Sequence, residues 1–89
     1  MEIIGKIVEF TPIETGTSEK GTWKRRQVII KTLDQNPQHI ALTAIGARLD
    51  EAEKHNIGEI VRARFGVSSR KIYERWFSDI LLWEINQVR

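Results

Sequence analysis

The stretch of sequence that decides the fold runs from Gln38 to Val67 and reads QHIALTAIGARLDEAEKHNIGEIVRARFGV. Its first part, Gln38 to Ile45, is rich in apolar and β-branched residues and predicts a strand. Ala47 to Asn56 is the one convincing helix of the chain, because its apolar residues fall on neighbouring turns. Glu59 to Val67 then alternates with a period of two, which predicts another strand. A short helix therefore separates two strands.

Three further strands are predicted outside this stretch. The first runs from Glu2 to Phe10, the second from Thr22 to Leu33, and Arg75 to Ile85 forms the last strand of the chain. Between the first two strands, Thr11 to Gly21 contains a proline, two glycines and four small hydroxyl residues, which predicts an exposed and mobile loop. Ser68 to Glu74 predicts a short basic loop before the last strand.

The resulting order of three strands, a short helix and two strands is typical of the OB-fold, an all-β, five-stranded, partly open Greek-key barrel. The helix between the third and fourth strands would close the bottom of that barrel. Two loops, Pro12 to Gly21 and Ser68 to Glu74, would border its binding face. A simple α+β sandwich with the same order of elements is the competing architecture.

Length and composition restrict the class of protein. The 89 residues allow a single domain, residues 1–89, and 40% hydrophobic and 29% charged residues are typical of a globular protein. The absence of cysteine excludes a disulfide scaffold and thiolate metal sites. The longest apolar run, Ile80 to Trp83, is far shorter than the roughly 20 residues that span a bilayer. No basic leader precedes a hydrophobic stretch, so we expect a cytoplasmic protein without a membrane partner.

The positive charges of the chain are concentrated in two windows. Residues 20–31 and residues 61–76 together hold ten of the 14 lysines and arginines but only one of the 12 acidic residues. The segment from Asp50 to Glu53 is the densest part of the acidic remainder. Because the formal net charge is only +2, the segregation of charge rather than its sum favours a polyanionic partner.

No pattern typical of catalysis or of a bound cofactor is present in the sequence. His39 and His55 lie in different predicted elements, and neither belongs to a set of residues with the spacing of metal ligands. The acidic run from Asp50 to Glu53 is better explained as a solvated helix face than as an acid–base pair. Glycine-rich phosphate-binding motifs are absent. We therefore expect a protein that is not an enzyme and that binds neither a metal nor a cofactor.

The candidate site combines aromatic and basic residues. Trp23 is followed by three basic residues at the start of the second strand, and Tyr73 and Trp76 are interleaved with lysine and arginine at the start of the last strand. Bases of single-stranded nucleic acid stack on exposed aromatic rings for roughly 1–3 kcal/mol each, while adjacent cations neutralise the phosphates. Two further arginines project together from the fourth strand, away from its apolar row. The candidate nucleic-acid-binding residues are Trp23, Lys24, Arg26, Lys31, Arg62, Arg64, Lys71, Tyr73, Arg75 and Trp76.

A structural explanation of the same residues stays open. Trp23 and Trp76 would equally cap the ends of a small barrel, and the lysines and arginines would keep exposed strand edges soluble. The two interpretations differ in one spatial feature. Nucleic-acid binding requires the two basic windows to come together, with the aromatic rings between them, as one continuous groove.

The last strand carries apolar residues on both of its faces. Ile80 and Leu82 point to one side and Leu81 and Trp83 to the other, whereas a thin barrel covers only one of these faces. An exposed leucine and tryptophan form an association site. The face with Leu81 and Trp83 is therefore predicted to be the interface of a homodimer or a larger homo-oligomer.

A resemblance to known proteins rests on residues 1–9, 21–25, 57–61 and 69–80, of which the Gly5-Lys6 pair and the segment from Tyr73 to Trp76 are the most specific parts. Through these segments the chain resembles a family of small, uncharacterised bacterial and phage-borne proteins that are similar to single-stranded DNA-binding proteins of the SSB and OB-fold class. The resemblance implies an OB barrel that binds single strands, with matched contacts at Trp23, Lys24, Tyr73, Arg75 and Trp76. Ordinary SSB proteins continue into a flexible acidic tail, whereas this sequence ends at Gln87-Val88-Arg89. A specialised or accessory role is therefore expected.

Two functions follow as hypotheses. The first is sequence-tolerant binding of single-stranded DNA or RNA, DNA being preferred; four to six phosphate contacts would give a slope of log K against log salt of about −3 to −4. In that case Trp76→Ala weakens binding at an unchanged slope, and Arg64→Ala lowers the slope. The alternative is an OB-fold interaction or assembly module without nucleic-acid activity, in which the surface of Leu81 and Trp83 dominates and the basic windows dock an acidic partner.

Overall fold

Six strands and one short helix make up the protein in a computed structural model that describes residues 1–88. Arg89, at the end of the predicted domain 1–89, lies outside the described residues. In chain order the elements are β1 (Glu2–Phe10), β2 (Glu14–Ser18), β3 (Gly21–Thr32), β4 (His39–Ile45), α1 (Ala47–Ala52), β5 (Ile60–Ile72) and β6 (Arg75–Gln87).

The strands form a single closed sheet. Their order is β1-β5-β6-β4-β3-β2, and an additional pairing of β1 with β3 closes β1, β3, β4, β6 and β5 into a barrel. Every pairing is antiparallel except that of β4 with β6, which run parallel and meet at Thr43 and Leu81. With α1 between β4 and β5 in the chain, this is the predicted OB-fold, and the alternative α+β sandwich is excluded.

The core of the barrel is apolar throughout. Because side chains alternate along a strand, each of the five barrel strands turns one row inward, and Ile7, Val28, Ile30, Leu42 and Val61 are completely buried there. The helix closes one end with two buried residues of its own, as predicted. Among the described residues no polar or charged side chain is buried, so any binding chemistry lies on the surface.

The predicted loop from Thr11 to Gly21 is in part a strand. Residues Glu14–Ser18 form β2, which pairs with β3 in a register that sets Gly16 opposite Trp23. The prediction of five strands is therefore one strand short. A strand exposed on both faces needs no apolar residues, and β2 has none, so a search for periodic hydrophobicity does not detect it.

The predicted basic loop from Ser68 to Glu74 is also largely strand. The register continues from Ser68 opposite Asp79 to Ile72 opposite Arg75, which leaves only Tyr73 and Glu74 in the turn. Residues 67–80 extend beyond the barrel as a two-stranded hairpin, hereafter the arm, because the pairing of β1 with β5 ends at Arg64 and β4 meets β6 only at Leu81. For the same reason Val67, the apolar residue at the end of the predicted strand Glu59 to Val67, is exposed.

The helix is shorter than predicted. It spans Ala47–Ala52 rather than Ala47 to Asn56, and Glu53 is its C-cap. Six residues are too few for a stable isolated helix, so α1 depends on the packing of Leu49 against the barrel. No helix among residues 1–88 is long and apolar enough to cross a membrane.

Candidate nucleic-acid interface

The outward side chains of β3 and β4 form a continuous open surface. Val28 and Ile30 of β3 face the core, so Arg25 and Gln27 face outward. The register sets Arg25 opposite Ile45 and Gln27 opposite Thr43. OB-folds bind oligonucleotides on the face of these two strands, between the loops that flank them.

A cleft of about 310 Å³ separates this surface from the arm. Glu14 and Arg25 line one side of it, Arg70 and Asp79 of the arm line the other, and Leu81 lies between them. The cleft, hereafter the central cleft, thus brings together one arginine from residues 20–31 and one from residues 61–76. The two basic windows of the sequence therefore meet at this cleft, although only through these few residues.

The central cleft contains negative as well as positive charge. Nε and Nη2 of Arg25 both donate to Oε2 of Glu14, at 3.2 and 3.0 Å. Both side chains are exposed, and such ion pairs contribute only about 0–1 kcal/mol, so another anion can replace the Glu14 carboxylate at small cost. Asp79 makes no ion pair and no side-chain hydrogen bond within residues 1–88.

Trp23 is packed against its own hairpin. Its ring lies over Gly16, where an added Cβ would come within 2.1 Å of the ring atom Cζ2. The guanidinium of Arg25 lies over the same ring, 5.2 Å from its centroid, in a cation–π arrangement. Trp23 is accordingly half-buried. Packing within the hairpin therefore explains much of the burial of the Trp23 ring. A base that approaches this ring would meet the guanidinium of Arg25 beside it.

One face of the arm continues the outer face of the barrel. Arg70 and Phe77 are opposite one another on this face, and Arg75 follows Phe77 towards the tip. The guanidinium of Arg75 lies 5.8 Å from the centroid of the Phe77 ring, which is 43% exposed. The aromatic side chain on the cleft side is thus Phe77, which is not among the predicted contacts. The signal for it was its spacing of four residues from Leu81, which lies on the same face of β6.

The other face of the arm continues the inner row of the barrel. Lys71 and Trp76 are opposite one another on it, and Trp76 is 68% exposed. Tyr73 stands in the turn, 95% exposed, with a φ of 57°, a left-handed conformation that is costly for an aromatic residue. Both rings are therefore open to solvent, but Trp76 is separated from the central cleft by the thickness of the arm.

Arg26, one of the predicted contacts, is occupied in a structural role. Its Nε donates to the carbonyl oxygen of Thr11 at 2.8 Å, and its Nη1 is 3.6 Å from a carboxylate oxygen of Glu53. The guanidinium also lies over the ring of Phe10. Although the residue borders the central cleft, its side chain connects β1 and β3 to the end of α1.

Arg62 and Arg64 project outward, as predicted, but they lie on a part of the barrel that is remote from the central cleft. They belong to the segment of β5 that lies between β1 and β6, whereas the cleft lies on β3 and β4. Arg62 Nε is 3.1 Å from Glu2, and Arg64 Nη1 is 3.5 Å from Glu84. The structure therefore does not join this half of the second basic window to the first.

The two predicted lysines of β3 lie at opposite ends of the strand. Lys31 is opposite Lys6 of β1 and His39 of β4, six residues and roughly 20 Å from Arg25. Lys24 lies on the face of β3 opposite to Arg25 and borders a separate cleft of about 390 Å³ beside α1. Neither lysine lines the central cleft.

The predicted interface residues Leu81 and Trp83 are both on the outside of β6. Leu81 is half-buried in the floor of the central cleft, whereas the ring of Trp83 lies over Gly66 and is 53% exposed. Trp83 also borders a cleft of about 430 Å³ between β6 and α1, together with Arg48. Leu81 thus belongs to the central cleft, and Trp83 belongs to the neighbouring cleft between β6 and α1.

A half-buried, hydrogen-bonded pair of side chains lies outside the central cleft, between α1 and β5. The carboxylate of Glu59 accepts hydrogen bonds from the imidazole of His55 and from the backbone N–H of Asn56. The hydrogen bond from His55 is the main reason why the pKa of Glu59 lies below its ordinary value. This pair connects the segment after the helix to the start of β5 and contributes nothing to the cleft.

Barrel, cleft and arm together define a protein with the fold of single-stranded DNA-binding proteins. The structure is similar to the crystal structure of Rim1, a mitochondrial single-stranded DNA-binding protein from S. cerevisiae, with a TM-score of 0.71 and 15% sequence identity over 100% of this chain and 94% of that one. At this identity the similarity concerns the fold. The chain itself belongs to the family described as Domain of unknown function (DUF3127), whose model matches residues 2–86. No curated protein matches the sequence.

Proposed function

We propose that the protein binds single-stranded nucleic acid, preferably DNA, along the central cleft and the arm. The observation that supports this function best is the position of Arg25 and Arg70, which are 45 residues apart in the sequence and line one cleft beside the binding face of the barrel. The fold thereby brings positive charge from both basic windows to one cleft. The fold-level similarity to a single-stranded DNA-binding protein supports the same assignment.

The arm supplies the stacking surface in this proposal. Phe77 faces the cleft side, and Tyr73 and Trp76 stand at the tip and on the opposite face, all three exposed. Bases are available for such stacking only when they are unpaired, so the arm favours a single strand over a duplex. Lys71 and Arg75 belong to the arm and make no ion pair within the described residues, which leaves them free to contact phosphates. The predicted contacts Lys24, Arg26, Lys31, Arg62 and Arg64 are not assigned to this surface.

A fluorescence titration tests the proposal. Wild-type protein is titrated with oligo-dT, with the same length of duplex DNA and with heparin, at two salt concentrations. We expect quenching of tryptophan emission by oligo-dT, tighter binding of oligo-dT than of the other two, and weaker binding at the higher salt. Absence of binding at micromolar protein in low salt, or equal binding of all three polyanions, would contradict a single-strand site.

A matched pair of variants separates stacking from general destabilisation. Phe77→Ala is expected to weaken oligo-dT binding about 5- to 150-fold, the loss of one stacked base, at an unchanged salt slope. Ile57→Ala removes another exposed apolar side chain, from the segment that follows α1, and it should bind like the wild type. Equal effects of both substitutions would argue against a stacking role of Phe77.

A second candidate function is supported by Trp83. Its exposed ring borders the cleft between β6 and α1, and a tryptophan in such a position is typical of protein interfaces. The protein would then be an assembly module, or a homo-oligomer whose subunits meet at Leu81 and Trp83. Sedimentation velocity of wild type and Trp83→Ala decides this point, since an oligomer held by this surface should dissociate in the variant and a partner-binding module should be monomeric in both.

A further inference from the structure

We propose that the central cleft binds the edge of a nucleobase and prefers bases with an exocyclic amino group, such as cytosine, over thymine. Asp79 is the residue that makes this distinction, by accepting a hydrogen bond from the amino group. The inference rests on the proposed binding of single strands and adds a base preference to it.

Asp79 lies in the central cleft with its carboxylate unpaired by any cation of the described residues. Asp79 is opposite Ser68 in the arm, on the face that continues the outside of the barrel, and it lines the central cleft with Arg25 and Leu81. It is exposed, and within residues 1–88 no cation lies close enough to form an ion pair with it. A carboxylate only accepts hydrogen bonds, so all acceptor positions of Asp79 are available to a ligand.

The charge of the cleft decides which part of a strand enters it. Three arginines and two carboxylates line the cleft, and Arg25 and Arg26 are each paired with a glutamate. Arg70 and Arg75 of the arm make no ion pair within the described residues, so they attract a phosphate more strongly than the paired arginines do. Asp79 repels a phosphate that comes close to it, so the part of the cleft beside Asp79 is left to a base.

The remaining walls of the cleft suit a base without selecting one. Leu81 and Ile45 provide apolar contact for its ring. Gln27 and Thr43 each carry both a donor and an acceptor, so they tolerate any base edge. Asp79 is different, because it is placed to read the base edge that lies in the major groove of a duplex. On that edge N4 of cytosine and N6 of adenine are donors, whereas O4 of thymine is an acceptor that the carboxylate repels.

The test compares the affinities of oligo-dC and oligo-dT of equal length for wild type, Asp79→Asn and Asp34→Asn. We expect the wild type to bind oligo-dC about 3- to 10-fold more tightly, the effect of one hydrogen bond to a charged acceptor in an open cleft. An asparagine offers both a donor and an acceptor, so Asp79→Asn should reduce this ratio to about one. Asp34→Asn removes the same charge from the exposed turn between β3 and β4, so it should leave the ratio unchanged.

The outcomes separate the inference from the proposed function. Equal affinities of the wild type for the two oligomers, a preference for oligo-dT, or an unchanged ratio in Asp79→Asn would each overturn the base preference while single-strand binding stands. Failure of the wild type to bind either oligomer would overturn both. Thermal unfolding of the three proteins, expected to be the same because both aspartates are exposed, shows that the ratios refer to folded protein.

Discussion

At the scale of single residues, three glycines determine how closely the strands and their covering side chains approach. An added Cβ at Gly5 would lie 2.4 Å from the carbonyl oxygen of Lys31 and 2.6 Å from Cγ2 of Ile30. Gly16 and Gly66 lie beneath the rings of Trp23 and Trp83 instead. A ring laid across a glycine fills the space that a missing side chain leaves in a strand. Two of the three tryptophans are thereby explained by packing, and Trp76 is the exception.

These contacts predict unequal effects of two alanine substitutions. Gly5→Ala should lower the free energy of unfolding by roughly 3 kcal/mol, because the obstructing atoms belong to the backbone of β3 and to a buried isoleucine and cannot withdraw. Gly66→Ala should cost only about 1 kcal/mol, since the obstructing atoms are at the far end of the exposed Trp83 side chain. Urea unfolding measures both values, and a cost of Gly66→Ala equal to that of Gly5→Ala would contradict this explanation.

The hydrogen bond between His55 and Glu59 predicts a pH dependence of stability. The pKa of Glu59 is lowered in the folded protein, chiefly by the hydrogen bond with His55, so the unfolded chain takes up this proton at a higher pH than the folded chain. The stabilisation is present above the unfolded pKa of about 4.3 and is lost as the pH falls through the lower folded value. Thermal unfolding of Glu59→Gln should therefore vary less between about pH 5 and pH 3 than that of the wild type.

A second glutamate provides the control for this pH dependence. Glu51 is exposed, and within residues 1–88 it pairs only with Lys54, which follows the C-cap of α1, so Glu51→Gln should retain the pH profile of the wild type. If Glu59→Gln were as sensitive to acid as the wild type, other carboxylates would be responsible for the loss of stability.

At the scale of elements, the arm differs from the barrel that carries it. Its strands pair only with one another, and its tip is a turn in which Tyr73 has a positive φ. A left-handed conformation costs a residue with a side chain roughly 1–2 kcal/mol, a cost that glycine avoids. The ring of Tyr73 is 95% exposed, so it buries too little apolar surface to offset the cost of this conformation. This is consistent with a role in binding.

Substitution of Tyr73 separates its effect on the stability of the fold from its effect on nucleic-acid binding. Tyr73→Gly should leave the thermal unfolding temperature unchanged or raise it, because it removes backbone strain and no buried contact. The same substitution should weaken oligo-dT binding, if the ring stacks on a base as proposed. Melting curves and a titration on the same samples are sufficient. A destabilised variant would show that the ring packs against the arm, and an unchanged affinity would remove Tyr73 from the binding surface.

At the scale of the whole molecule, the distribution of ion pairs decides which cations are available to a polyanion. Arg62 and Arg64 are paired with carboxylates on β1 and β6, whereas Arg70 is in the central cleft and makes no ion pair within residues 1–88. Each phosphate contact adds about 0.7 to the magnitude of the salt slope for single strands. Arg70→Ala should therefore lower the slope for oligo-dT by about 0.7, and Arg64→Ala should leave it unchanged.

This result would differ from the expectation based on sequence, in which Arg64→Ala lowers the slope. Affinities over a range of salt concentrations are needed for the wild type and both variants, with circular dichroism to establish that all three are folded. A lower slope for Arg64→Ala alone would move the binding surface to β5 and away from the central cleft.

The elements that could be predicted from the sequence are those with a buried face. Val61, Ala63 and Phe65 alternate with arginines, so the strand and its inner row are evident from local periodicity. β2 and the arm are exposed on both faces and lack such a pattern, so only the hydrogen bonds to their partner strands define them. The OB-fold was predictable because the barrel depends on buried rows, whereas its two projecting hairpins do not.

By itself, the sequence determined that this chain forms an OB barrel and that its positive charge lies in two windows, since composition, order and periodicity are local properties. Only the tertiary structure decided which cations share a surface. Arg26, Arg62 and Arg64 are each paired with a carboxylate far away in the chain, and Phe77 rather than Trp76 lies on the cleft side of the arm. The physical reason is that ion pairing and strand register depend on distances between residues that are remote in sequence, which no local pattern encodes.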